Sequence, residues 1–116
     1  MWKLLLIAAL VLGESAAQAQ GVKVVGIGSS SCMRFKQDIA ENPAVERDYF
    51  AWAQGFMSGA LIRAPKGIDD DLDLSPPSFP LLKQVDFLRE FCVEHPDQDY
   101  LDAARALYHR MRERGI

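Results

Sequence analysis

The sequence predicts an all-α fold, a small bundle of about four helices around a central buried helix, stapled by one disulfide. Three observations lead there. The stretch from Tyr49 to Arg63 is apolar on most sides when wound as a helix, and such a helix is usually a buried one. Three further segments repeat their apolar residues at helical spacing. Two cysteines, Cys32 and Cys92, fall on the inner faces of two of those segments.

The Tyr49–Arg63 stretch is expected to be the central helix. At about 100° per residue, Val45, Tyr49, Trp52, Phe56 and Gly59 share one face. Phe50, Met57 and Leu61 form a second apolar strip. Ala51, Gly55, Ser58 and Gly59 make a side of small residues, where a neighbouring helix is expected to approach closely. Trp52, Gly55 and Gly59 are therefore read as a core motif, since aromatics at helical spacing more often fill a core than a ligand pocket.

With 116 residues the chain holds at most one domain. It opens like a secretory signal. Lys3 supplies the positive start, Leu4 to Leu12 the apolar core, and Ala17-Gln18-Ala19 a small-x-small cleavage site. The apolar run is too short for the roughly 20 residues a membrane span needs. Residues 1–19 are thus expected to be removed, leaving a single domain over 20–116 in the periplasm, with no membrane attachment. Lys3 and Glu14 leave together, so the net charge of −3 persists. That balance argues against nucleic acid as a partner. An even cysteine pair in an exported chain reads as a disulfide, and closing so long a loop is worth about 4 kcal/mol in the chain-entropy model.

Residues 20–31, with Gly26, Gly28 and a serine run, are expected to be an extended lead-in or one short strand; two glycines do not make a phosphate loop. A first helix fits Ser31 to Glu41, with Ser31 as N-cap and Cys32, Phe35 and Ile39 facing inward. Asn42 and Pro43 then stop it and start the central helix. Residues 64–79 form a long loop carrying Asp69, Asp70, Asp71 and Asp73. It lacks the sixth-position glycine and closing glutamate of a calcium loop, so a solvated surface loop is expected and no metal. A third helix fits Pro80 to Glu94, with Leu81, Val85, Leu88 and Cys92 in line. A last one runs from about Asp97 to Arg114, with Tyr100, Leu101, Ala104, Leu107, Tyr108 and Met111 as its apolar arc.

Candidate catalytic groups are few. Cys92 and His95 stand three apart, but a paired cysteine is no nucleophile. Cys32, Cys92, His95 and His109 lack the close ligand pairs that seed a zinc site. No catalytic residue and no cofactor is assigned, and a non-enzymatic protein is expected.

Trp52, Gly55 and Gly59 after a lone cysteine, then an acidic loop, Phe91-Cys92, His95-Pro96 and an alanine-rich helix, resemble the small periplasmic disulfide-linked helical proteins of Gram-negative bacteria. That group includes immunity proteins that neutralise type VI secretion amidase effectors, and is similar in plan to HdeA-type acid-stress chaperones. The resemblance covers roughly residues 30–110 and carries over only Cys32, Trp52, Gly55, Gly59 and Cys92. It implies specific protein–protein binding, with a secreted peptidoglycan amidase effector as partner and a homodimer as a common assembly. Its alternative is a chaperone that loosens in acid. The expected contact surface is the Phe50–Met57–Leu61 strip or the loop from Asp69 through Asp70 and Asp71 to Asp73.

Overall fold

The computed structural model describes residues 23–113; the expected signal peptide lies outside them. Within them the chain forms four α-helices, α1 (Cys32–Glu41), α2 (Glu46–Arg63), α3 (Leu81–Glu94) and α4 (Tyr100–Glu113). Short 3₁₀ turns at Ile27–Ser29 and Pro43–Val45 lead into α1 and α2. The all-α bundle and its single Cys32–Cys92 disulfide agree with the sequence.

The helix starts reflect local chemistry. Ser31 caps α1, its hydroxyl accepting the Arg34 amide at 3.0 Å, which satisfies one of the amides left over in the first turn. The Asn42 side chain accepts the Ala44 amide at 3.3 Å, with Pro43 next in the chain. The fourth helix begins three residues later than periodicity suggests. Its lead-in is held elsewhere: Cys32 N–H donates to the Gln98 carbonyl at 2.8 Å and Tyr100 N–H to the Ser30 carbonyl at 2.9 Å. This antiparallel bridge, Ser31 opposite Asp99, ties the start of α1 to the start of α4. Among the described residues, extended pairing thus falls at residues 30–32, at the end of the lead-in.

The bundle does have a central buried helix, but it is α4 rather than α2. Tyr100, Leu101, Ala103, Ala104, Leu107 and Met111 of α4 are buried, against Tyr49, Ala53 and Met57 of α2. Both α2 and α3 pack on α4, and α1 packs on α3. The rings of Phe35, Tyr49 and Tyr100 meet with centroids 4.8–5.0 Å apart and join α1, α2 and α4. Each such pair adds about 1 kcal/mol beyond the area it buries. The disulfide pins α1 to α3 with Cα atoms 4.8 Å apart and both cysteines fully buried.

The inner stripe of α3 is rotated from the expected one. Gln84, Leu88 and Cys92 are buried, while Leu81 is exposed and Val85 half-buried. Gln84 holds its place because its amide donates to the carbonyls of Leu74 at 3.0 Å and Phe79 at 3.1 Å. Those bonds fasten the end of the long loop to α3 and satisfy the buried amide nitrogen, while the amide oxygen has no protein partner.

Candidate functional site

On α2 the buried residues Tyr49, Ala53 and Met57 run i, i+4, i+8, a line between the two apolar strips expected from the sequence. Both strips become flanks of one broad inward arc. The small side consequently points away. Gly55 and Gly59 are exposed, and a Cβ on either would meet nothing within 4 Å. They take no part in a core motif or a close helix contact. Trp52, expected in the core, is half-buried and packs against the core's edge. Its ring stacks on Phe56 at 5.6 Å, and its indole N–H donates to the Val25 carbonyl at 3.1 Å.

The partner of Trp52 is a glycine that the sequence marks only as a breaker of the lead-in. Gly28 lies so close to the indole that a Cβ there would overlap the ring. Gly26, at φ +92°, makes the turn that brings the lead-in onto the ring. A phosphate loop is one reason for glycines in such a lead-in, and close backbone approach is the other. The second is the one at work here.

The acidic loop divides into two parts. Asp69 accepts the Tyr108 hydroxyl at 2.7 Å and Arg112 Nε at 2.8 Å, and its side chain is only 8% exposed. It fastens the loop to α4 and is not a free contact residue. Burial and this bond push the Tyr108 phenol up to about 12. Asp70 accepts the Gly67 amide at 3.0 Å within the loop, and Asp71 is exposed. Gly67, Asp69, Asp70 and Asp71 line a hollow of ≈ 260 Å³ against Met111 and Arg112. Asp73 faces the other way, into a hollow of ≈ 290 Å³ with Gln54, Met57, Leu74 and Leu81.

Next to that second hollow lies a larger one, ≈ 400 Å³, lined by Pro43, Ala44, Glu46, Arg47 and Phe50 of the α2 side and Leu82 and Val85 of α3. The two hollows run along one face of α2, since Phe50, Gln54 and Met57 stand i, i+4, i+7. Together they make a groove with α2 on one side and α3 and the Asp73–Ser75 loop on the other, lined by no α4 residue. Glu46 on the groove is taken by Arg89 of α3, which donates to both its carboxylate oxygens at 3.0 and 2.5 Å. Leu82, at 81% exposure, stands open on its wall. Of the expected contact residues, Phe50, Met57 and Asp73 come together here, with Met57 buried as floor. Leu61 is half-buried outside the lining, and Asp69 to Asp71 face elsewhere.

Two further phenols are held neutral. Burial and a 2.6 Å hydrogen bond to Asp38 raise Tyr49, and burial above all raises Tyr100. His95 stacks against Phe91 at 4.4 Å. Among the described residues no cluster of three or more His, Cys, Asp or Glu is placed to hold a metal, and no helix is long and apolar enough to cross a membrane. No family model, curated protein or solved structure matches the chain.

Proposed function

We propose that this protein acts in the periplasm by binding another protein through the α2–α3 groove, without a catalytic step of its own. The observation that carries the reading is the groove itself. Phe50, Leu82 and Val85 line it side by side between two helices that take their main support from other elements. Exposed apolar surface rimmed by charge marks protein contact more often than chance exposure does. A fully buried disulfide between Cys32 and Cys92 suits an oxidising compartment, as does the expected leader. The family resemblance makes a secreted peptidoglycan amidase effector the first partner to test, and a homodimer the assembly to test beside it.

An acid-stress chaperone is the second reading, favoured by one pattern of contacts. Asp38 holds Tyr49, Glu46 holds Arg89, and Asp69 holds Tyr108 and Arg112. Each link joins different elements and ends on a carboxylate, so protonation removes the charge from every one. The test is capture with the oxidised mature protein from bacterial extracts at pH 7 and near pH 3, read by mass spectrometry. One stoichiometric partner at neutral pH supports the binder. Many unrelated clients held only in acid support the chaperone, and an empty bait at both counts against both.

A further inference from the structure

Taken as the contact surface of the proposed function, the groove narrows the partner by its polarity. Arg47 stands exposed on its rim near Pro43. Asp73 stands exposed at the far end, one carboxylate oxygen occupied by the Ser75 amide at 2.8 Å. Among the described residues neither forms an ion pair, whereas Glu46 beside Arg47 is taken by Arg89. Along α2, Arg47 stands about ten residues, or ~15 Å, from Met57, which lines the hollow that Asp73 shares. Between them Phe50, Leu81, Leu82 and Val85 offer apolar surface. The walls are α2 and α3, with Asp73, Leu74 and Ser75 of the loop at one end; the helical backbone is bonded within itself, the Leu74 carbonyl accepts from Gln84 and the Ser75 amide donates to Asp73. An extended peptide pressed between them would bury its own amides and carbonyls unpaired, while a helix brings them satisfied.

We propose that the groove takes an amphipathic helix of a partner protein, with a carboxylate for Arg47, apolar side chains for the centre, and a Lys or Arg for Asp73 about ten residues along. The probes are three synthetic helical peptides with one apolar centre, bearing Glu at one end and Lys at the other, Glu at both, or Lys at both. They are titrated against the oxidised mature protein and followed by amide chemical shifts. The mixed-charge peptide should bind about five-fold more tightly than either uniform one, as two exposed ion pairs allow. Its shifts should centre on Phe50 and Leu82. Arg47→Glu makes both ends acidic and should transfer the preference to the all-Lys peptide.

Equal binding of the three, shifts elsewhere, or no binding overturns the partner chemistry. So does a dimer in sedimentation that Leu82→Glu dissolves, which would make a second copy the occupant. The function reading is judged separately, by whether Leu82→Glu, with the fold intact by circular dichroism, loses the protein captured at neutral pH.

Discussion

The glycine packed onto α2 and the glycines within it differ in what they face. On the side under the lead-in, Gly28 presses on Trp52 with no room for a methyl group. Only a short way round the helix from Trp52, on the outer side of α2, Gly55 and Gly59 look into open space. The first is an interior position that makes a contact; the others are places where the helix is merely bare. The sequence pattern points the other way, because two glycines four apart on an apolar helix look like a packing device. What decides is the line of burial, and that line is set by Tyr49, Ala53 and Met57 docking on α4.

Several substitutions would break or sharpen this contrast. The largest effect is expected from the interior crosslink between α1 and α3. Replacing Cys32 and Cys92 together by Ala should cost about 4 kcal/mol in urea unfolding. Gly28→Ala comes next, at about 2 kcal/mol, because overpacking forces the lead-in or the indole to move. Its signature is a changed Trp52 fluorescence maximum at temperatures where the chain is still folded.

Tyr108→Phe should cost about 1 kcal/mol at neutral pH, Asp69 keeping its bond to Arg112. The phenol also predicts a pH effect. Its folded pKa of about 12 lies above the unfolded value of 10, so its contribution is whole below pH 10 and is lost as the pH rises towards 12. Urea midpoints compared at pH 8 and pH 11 should therefore fall less steeply in the Phe variant than in the parent. Tyr49 and Tyr100, both raised, keep part of the alkaline loss.

The smallest effect is of opposite sign. Gly55→Ala on the open face should stabilise by about 0.5–1 kcal/mol, since it adds helix propensity without a clash. A destabilisation there would mean that something packs on that face after all.

Much of the fold is legible in the sequence. Ser31, Asn42 and Pro43 set helix starts by hydrogen bonding and backbone restriction, which are local, and the apolar arc of α4 is unambiguous in its spacing. The cysteine pairing is readable from their number and their inward faces. Two things are not legible. Periodicity places residues around a helix but does not say which sector another helix will cover, so it points to α2 as the centre and to Leu81 and Val85 as core. Gln84 takes that inner place through carbonyls of Leu74 and Phe79, a tertiary arrangement with no sequence signal of its own. The acidic loop shows the same limit at the candidate site. Asp69 and Asp73 are alike in sequence, yet Tyr108 and Arg112 claim one and leave the other at the groove.

The most direct test is a paired capture at neutral pH, with the oxidised 20–116 chain and its Leu82→Glu variant as baits in the same extract. A protein held stoichiometrically by the parent and lost from the variant is the predicted result. Retention of the same protein by both baits would contradict the claim that the α2–α3 groove is where this protein meets its partner.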